Sequence, residues 1–308
     1  MALWQTTRFR LDLTRPLVMG IVNNTPDSFS DGGHHHSVTA ALRHAEKLLK
    51  DGAHILDIGG ESTRPGSPAV PLEEEMRRVL PFVQAAVQFG VPISVDTYKA
   101  QVMQAVLDAG ADIINDVWAL RQPGAQSVVA SHPQCGVVLM HMHKTPPDMQ
   151  QTPMQGDAVA QVQDFLAQQT QALVALGVER QRIVWDYGIG FGKTVAQNFA
   201  LLAQQAALTR QGFALLAGWS RKSSLGQVTN LSVEERMVPS VAAAVLAVER
   251  GARIVRVHDV AETVSALAVW QAMHDNEFHL PSLNTFPHFP SQLLWHVNFS
   301  APMAFAAR

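Results

Sequence analysis

Eight short apolar runs recur along the chain, and each ends in a polar or glycine-rich stretch. The first begins at Leu17 and gives way after Val22 to Asn-Asn-Thr-Pro-Asp-Ser-Phe-Ser-Asp-Gly-Gly. Runs of this length, rich in branched residues, are typical of strands buried on both faces. Pro26, Gly32 and Gly33 cannot extend such a strand, so a long polar loop must leave from its carboxyl end. The other seven runs begin at Ile55, Ile93, Ile113, Val137, Ile183, Phe213 and Ile254.

Amphipathic segments separate most of these runs, and several of them end on glycine, as helices commonly do. We expect helices at 40–50, 72–89, 100–109, 157–176, 196–209, 233–249 and 261–274, with a weaker one at 125–131. Eight strand-helix units predict an α/β protein of the closed (β/α)8 TIM-barrel class. An open doubly wound sheet is the alternative. It would need a G-x-G-x-x-G fingerprint after its first strand, and none stands there.

The periodicity fades after His274. Residues from 280 onward contain four prolines and several aromatic side chains without a helix or strand period. We therefore expect a single barrel domain over residues 1–279 and a short irregular C-terminal tail over 280–308, and we predict that the tail is dispensable.

Composition excludes several classes of protein. The chain is 47% hydrophobic and 16% charged, which is typical of a soluble protein with a large core. Its net charge of −3 favours neither nucleic acid nor an acidic membrane surface as a partner. The single cysteine, Cys135, excludes an internal disulfide framework, and no signal core or membrane-length apolar run occurs. We expect a soluble cytoplasmic protein.

Polar side chains stand at or near the ends of the apolar runs. In a barrel they would meet at the mouth, where polar groups are usually functional. The triple histidine at 34–36 is interpreted as part of a solvated loop, because no partner metal ligands stand near it. The strand-end residues are Asn23, Asp57, Asp96, Asn115, Asp186 and His258.

Together these motifs resemble the dihydropteroate synthase family, over about residues 15 to 275. The resemblance rests on the blocks Met19–Gly33, Asp57–Gly66, Ser94–Thr97, Ile114–Asp116, Gly190–Lys193, Ser220–Ser223 and Arg256–Asp259. It implies a transferase of folate biosynthesis and a target of sulfonamides. Such an enzyme condenses p-aminobenzoate with 6-hydroxymethyl-7,8-dihydropterin pyrophosphate and releases pyrophosphate.

A pterin ring presents an amide N–H and an amino group side by side, and a buried carboxylate can accept both. Asp186 is the candidate for that edge. Asn115 and Asp96 can bind neighbouring ring atoms, and Lys222 can donate to a ring nitrogen or carbonyl. On the family pattern, Asp96 can also stabilise a cationic methylene, so Asp96, Lys222 and Arg256 are the expected catalytic residues.

The pyrophosphate needs donors and a divalent cation. Thr63, Arg64, Arg256 and His258 are the candidate donors. Mg²⁺ prefers oxygen ligands and is commonly coordinated by phosphate oxygens of the substrate. We therefore expect the protein to supply one ligand, the amide oxygen of Asn23. Asp57 is expected to support Asn23 or Arg64.

The p-aminobenzoate slot is assigned to the second loop and to the turns after the sixth and seventh strands. Ser223 opens a predicted helix whose N-terminus favours an anion, and Arg221 adds positive potential. Thr63, Pro65 and Phe191 are expected to surround the ring. Because Thr63 and Arg64 share one loop, p-aminobenzoate should bind better once pyrophosphate and magnesium have ordered it.

Two other functions remain open at this stage. One is a pterin-binding methyltransferase with a corrinoid partner, although such an enzyme would not need the Ser-Thr-Arg-Pro-Gly or Ser-Arg-Lys-Ser motifs present here. The other is a paralogue that binds pterin without turnover. The chain departs from the family pattern at Asn24, His143, Lys144, Tyr187 and Pro239. A homodimer through the apolar run 241–248 is also expected.

Overall fold

A computed structural model describes residues 3–23, 33–62, 67–144, 149 and 152–275. For residues 33–37 it describes the backbone only. Eight parallel strands form a closed barrel, preceded by a two-stranded antiparallel hairpin, β1 and β2. Around the barrel the order is β10-β3-β4-β5-β6-β7-β8-β9. The strands are β1 (Leu3–Gln5), β2 (Arg10–Asp12), β3 (Leu17–Asn23), β4 (Ile55–Gly59), β5 (Ile93–Asp96), β6 (Ile113–Asp116), β7 (Gly136–Met140), β8 (Ile183–Asp186), β9 (Ala214–Ala217) and β10 (Ile254–Val257).

Helices follow the barrel strands in sequence and confirm the (β/α)8 class. They are α1 (Gly33–Lys50), α2 (Leu72–Ala86), α3 (Ala100–Asp108), α4 (Ala125–Ser131), α5 (Ala158–Ala175), α6 (Val195–Ala203), α7 (Gln205–Thr209), α8 (Ser223–Thr229), α9 (Met237–Glu249) and α10 (Val260–Asp275). Short 3₁₀ turns occupy Val87–Phe89 and Arg180–Arg182.

Local chemistry sets several of these boundaries. Asp157 caps α5 by accepting from the backbone N–H groups of Val159 and Ala160, and Thr194 forms a capping box with Gln197 at the start of α6. The barrel strands are buried on both faces, since the helices cover the outside and the inside is filled by side chains.

The structure differs from the sequence prediction in four places. The helix expected at 40–50 begins at Gly33, so the triple histidine at 34–36 lies in the first turns of α1 and not in a loop. The expected helix at 196–209 is two helices, α6 and α7, and the one expected from Val233 begins at Met237. The hairpin of β1 and β2 was not predicted, because strands of three residues carry too little periodicity. Pro239 is the third residue of α9, a first-turn position where a missing N–H removes no helical hydrogen bond.

The hairpin covers the end of the barrel where the strands begin. Trp4 is fully buried among the first residues of the barrel strands and donates from Nε1 to the carbonyl of Arg182 at 2.9 Å. Arg8 binds the buried carboxylate of Asp112 through Nε at 3.0 Å and Nη2 at 2.6 Å. We call this covered end the floor of the barrel. The opposite end, the mouth, is where the strands finish, and it carries the polar residues.

By its internal contacts the chain divides into two units, Met1–Gln271 and Ala272–Arg308. Of the second, only residues 272–275 are described, so the predicted boundary at 279 and the tail over 280–308 lie outside the described residues. No helix in the described part of the chain is long and apolar enough to cross a membrane.

Candidate active site

The strand register places polar strand ends at one level of the barrel mouth. Asn23 of β3 is paired with Gly59 of β4. Gly59 is paired in turn with Asp96 of β5, and Asp96 with Asn115 of β6. Asp96 and Asn115 are buried and Asn23 is half-buried. These carboxyl ends of parallel strands are where barrel enzymes place their active sites.

A buried ion network supports this row. Asp57, two residues before Gly59, is fully buried and accepts from Arg256 Nε at 2.6 Å and from Ser94 Oγ at 2.5 Å. Arg256 also donates from Nη2 to Asp96 Oδ2 at 3.0 Å, and the amide nitrogen of Asn115 donates to Asp57 at 3.3 Å. Two carboxylates therefore fix the orientation of one guanidinium at the mouth.

Burial raises the pKa of two carboxyl groups among the predicted site residues. It raises the pKa of Asp96 to about 7, against the opposing charge of Arg256. It also raises the pKa of Asp186, although the N–H of Gly188, 2.7 Å away, and the charge of Lys222 oppose that shift. An ionised form that is costly to bury is favoured when a ligand supplies N–H donors or positive charge. Both groups are thus suited to a ligand rich in N–H donors.

Lys222 and Phe191 lie together beside Asp186. The Nζ atom of Lys222 is 4.4 Å from the centroid of the Phe191 ring, a cation–π contact. Phe191 is 6% exposed and lies in the turn after β8, whereas Lys222 immediately precedes α8. Two neighbouring strands, β8 and β9, therefore contribute a carboxylate, an ammonium group and a flat apolar ring to one place.

Lys193 fixes the turn that carries Phe191. Its buried Nζ donates to three carbonyl groups, those of Gly188 at 2.8 Å and of His141 and Phe191 at 3.3 Å each. Burial lowers the pKa of Lys193 to about 7. Gly188 has φ of +66°, and a Cβ there would lie 1.9 Å from the carbonyl oxygen of His141, so the turn requires glycine.

The loops after β9 and β10 are linked to each other. Ser220 Oγ lies 2.9 Å from His258 Nδ1, and the backbone N–H of His258 donates to the same oxygen at 3.1 Å. Arg221 pairs with Asp259 through Nε at 3.2 Å and Nη2 at 2.6 Å.

An apolar wall completes the mouth and was missed by sequence reasoning. Tyr98 and Trp118 stack at 5.0 Å with 14° between their planes, and they pack against a buried cluster. Such a surface suits a flat aromatic ligand. Apolar residues at strand ends look like ordinary core in a sequence, so no signal marked them. The buried cluster consists of Val117, Met140, Met142, Met149 and Phe191.

Six of the described site residues fall into two groups. Asp96, Asn115 and Arg256 form one, and Asp186, Lys222 and Phe191 form the other. His258 bonds to Ser220, Arg221 bonds to Asp259, and Ser223 is exposed at the start of α8. Thr63, Arg64, Pro65 and Asn24 lie outside the described residues. Among the residues that are described, no group of three or more His, Cys, Asp or Glu side chains could hold a metal ion.

The closed parallel barrel with buried carboxylates at its mouth has the architecture of a (β/α)8-barrel enzyme. The profile of the pterin binding enzyme family matches residues 19–258, and the chain belongs to this family. A dihydropteroate synthase of Neisseria meningitidis serogroup B is 48% identical over 279 residues, which cover 89% of this chain and 98% of that protein. The chain is a transferase of folate biosynthesis, of the dihydropteroate synthase kind.

Solved structures agree with this assignment. Burkholderia cenocepacia dihydropteroate synthase complexed with 7,8-dihydropteroate has a TM-score of 0.82 and 50% identity, covering 89% of this chain and 97% of that one. Xanthomonas albilineans dihydropteroate synthase with 4-aminobenzoic acid has a TM-score of 0.81 and 52% identity, covering 86% and 95%. The predicted family and fold are confirmed, in preference to the corrinoid-dependent methyltransferase.

Proposed function

We propose that the mouth of the barrel binds the dihydropterin through the side chains of Asp96, Asn115, Asp186 and Lys222. The observation that supports this most directly is the meeting of Asp186, Lys222 and Phe191 at the ends of β8 and β9. A carboxylate accepts the adjacent N–H groups of the pterin edge, an ammonium group donates to its carbonyl or ring nitrogen, and the apolar wall covers its face. Asp96 and Asn115 take the remaining ring atoms from β5 and β6.

The proposed reaction is a substitution at the methylene carbon of the dihydropterin. The amine of p-aminobenzoate forms the new C–N bond, the C–O bond to pyrophosphate breaks, and the amine proton is lost. Arg256 and His258 stabilise charge on the departing phosphates, and Asp96 stabilises positive charge on the pterin side. No covalent enzyme intermediate is needed, because both reactants already carry the groups that react.

The p-aminobenzoate slot is proposed to combine Phe191 and Ser223 with Thr63 and Pro65. Phe191 supplies a flat apolar contact for the ring, and Ser223 opens α8 beside Lys222. A sulfonamide that mimics p-aminobenzoate would occupy the same slot. Arg64 is proposed to bind pyrophosphate from the same segment as Thr63, which would couple the two ligands.

Magnesium is proposed to enter with the pyrophosphate and to take one protein ligand, the amide oxygen of Asn23. The fit rests on position and donor chemistry: Asn23 ends β3, the strand beside that of Arg256, and offers the hard oxygen ligand that Mg²⁺ prefers. When bound, the ion would neutralise charge on the leaving group.

The assembly is proposed to be a cytosolic homodimer. Half of the run 241–248 that suggested this packs inward, since Ala243, Ala244, Ala247 and Val248 are at most 4% exposed. The support comes instead from apolar side chains on α9 and α10 that remain exposed. These are Val238 at 67%, Leu246 at 45% and Val269 at 74%.

Calorimetric titration of a pterin tests the placement. Asp186→Asn and Lys222→Ala should each weaken binding by about one to two decades, because each leaves a buried polar partner unpaired. The matched control is Lys47→Ala, which removes an exposed lysine that pairs with Asp51 on the outside of the barrel. Wild-type affinity in both site variants would mean that the pterin binds elsewhere.

A further inference from the structure

Two consecutive residues after β9 are joined to two consecutive residues after β10. Ser220 contacts His258 through its hydroxyl group, and Arg221 contacts Asp259 through two parallel N–H···O bonds. Arg–carboxylate pairs of this fork geometry fix orientation as well as distance. The Asp259 side chain is 13% exposed and that of Arg221 is 37% exposed, so the pair is only partly open to solvent.

The backbone of Arg221 is held in a conformation that arginine seldom adopts. Its φ is +57°, in the left-handed region, which is unfavourable for a residue with a Cβ. Surrounding groups maintain it. The N–H of Arg221 donates to Ser240 Oγ at 2.8 Å, and its carbonyl accepts from Arg236 Nη1 at 3.2 Å.

This conformation sets the direction of the next two residues. Lys222 follows immediately, with its N–H bonded to the carbonyl of Trp219 at 3.2 Å and its Nζ over the Phe191 ring. Ser223 then begins α8. A change at Arg221 would therefore move the ammonium group assigned to the pterin and the helix start assigned to p-aminobenzoate.

We propose that Arg221 is a positioning residue that acts through Asp259, and not a source of positive potential for the p-aminobenzoate carboxylate as the sequence suggested. The Arg221–Asp259 pair holds the turn of Lys222 and Ser223 against the strand end that carries Arg256 and His258. This inference rests on the proposed substrate assignments, which the wild-type assay tests separately.

Opposite charges give the proposal a clear test. If Arg221 acts through its positive potential, Arg221→Gln should weaken the binding of the anionic substrates and Asp259→Asn should leave it unchanged or strengthen it. If the pair positions the turn, both substitutions break the same two-bond ion pair, and both should weaken substrate binding. The sign of the Asp259→Asn effect decides between the two.

The experiment measures steady-state KM and kcat for p-aminobenzoate in Arg221→Gln, Asp259→Asn and the double variant. We expect KM to rise about tenfold in each single variant and no further in the double variant, since a modest displacement of a binding group has effects of this order. An unchanged or lower KM in Asp259→Asn would overturn the proposal, and so would additive effects in the double variant.

Two further variants separate positioning from loss of fold. Arg221→Lys keeps the charge but can donate fewer fixed bonds, so it should recover part of the lost affinity. Arg77→Gln removes another ion-paired arginine, on the exposed side of α2, and should leave KM at the wild-type value. If Asp259→Asn unfolds the enzyme, Asp259→Glu, which keeps the charge and displaces the carboxylate, should still raise KM with a melting temperature near the wild-type value; a wild-type KM there would overturn the proposal.

Discussion

At the scale of single residues, the site depends on buried charged groups that lie close to groups of opposite charge. Asp57 and Asp96 share the guanidinium of Arg256, while Asp186 lies near Lys222. Removing water raises the cost of every one of these charges, and each partner offsets part of that cost. The consequence of this balance that is easiest to measure is the pKa of Asp96, which burial raises to about 7.

The first prediction concerns the pH dependence of activity. Because only the ionised form of Asp96 accepts ring N–H groups through both oxygens and carries negative charge, kcat/KM for the pterin substrate should fall as pH drops below about 7. Asp96→Asn should lower activity and remove this limb of the pH profile. If the limb persists in Asp96→Asn, another group, such as Asp116 with its pKa also raised to about 7, is responsible.

The same shift has the opposite effect on stability. Asp96 ionises near its ordinary pKa of 3.8 in the unfolded chain and at about 7 in the folded one, so the folded state binds the proton more tightly. Its contribution to stability is present below pH 3.8 and is lost as pH rises through about 7. Relative to Asp96→Asn, wild-type protein should lose stability over that range while it gains activity.

A second prediction at this scale concerns Lys144, which stands where the family pattern has glycine. Its φ is +63°, in the region that glycine adopts without strain. Lys144→Gly should therefore stabilise the fold by about 0.5–1 kcal/mol and leave turnover unchanged. Lys144→Ala, which keeps the strain and also removes the side-chain contact with Thr152, is the control. Lower stability in the glycine variant than in the alanine variant would contradict the account.

Residue types could be predicted from the sequence better than their partners. The strand-end residues Asp96, Asn115, Asp186 and Arg256 were located because apolar runs end there. Asp57 was expected to support Asn23 or Arg64, and among the described residues it binds Arg256, Asn115 and Ser94. Such partners depend on the register of β4 against β5 and on side-chain direction, and neither can be read from one strand at a time.

At the scale of elements, an ion cluster ties the loop after β4 to α2 and to the start of α3. Lys99 binds Glu61 and Glu75, Tyr98 donates to Glu61 at 2.8 Å, and Thr97 donates to Glu75 at 2.6 Å. The Glu75 side chain is only 1% exposed and that of Glu61 is 8% exposed. Glu61 stands two residues before Thr63, so the cluster anchors the chain just ahead of the proposed pyrophosphate segment.

The third prediction follows from that cluster. Lys99→Met leaves two buried carboxylates without their cation and should lower stability by about 3 kcal/mol. Burial already raises the pKa of Glu75, so part of this loss should be recovered at acid pH, where the carboxyl groups become neutral. Lys47→Met, which breaks an exposed pair with Asp51, should cost less than about 1 kcal/mol. Urea titrations of the wild-type protein and both variants, at neutral and at acid pH, measure these losses of stability. Equal losses in Lys99→Met and Lys47→Met would contradict the account.

Elements with a strong period were predictable and short ones were not. The eight barrel strands and most helices followed from apolar runs and glycine ends. The hairpin of β1 and β2 did not, because its stability comes from Trp4 and Arg8 contacting residues more than a hundred positions away. The departure at Tyr187 has a similar long-range explanation: its hydroxyl donates to Gln205 at 2.6 Å and accepts from Trp219 at 3.3 Å.

At the scale of the whole molecule, the barrel has a covered floor, a polar mouth and apolar side chains left on late outer helices. The fourth prediction is that these helices form a dimer interface. Light scattering at micromolar concentration should give twice the mass of 33.6 kDa. Val238→Lys should shift the protein towards monomer, whereas Val174→Lys, at an exposed apolar position on α5, should not. A monomeric wild-type protein would contradict this proposal.

The measurement that tests the central claim most directly is product formation by the wild-type protein. Purified enzyme with Mg²⁺, p-aminobenzoate and the dihydropterin pyrophosphate should release one pyrophosphate for each 7,8-dihydropteroate formed. Omitting p-aminobenzoate should stop the release, and Asp186→Asn and Lys222→Ala should lower the rate while circular dichroism shows a folded barrel. Tight pterin binding without dihydropteroate would contradict the account and identify a binding protein that has lost turnover.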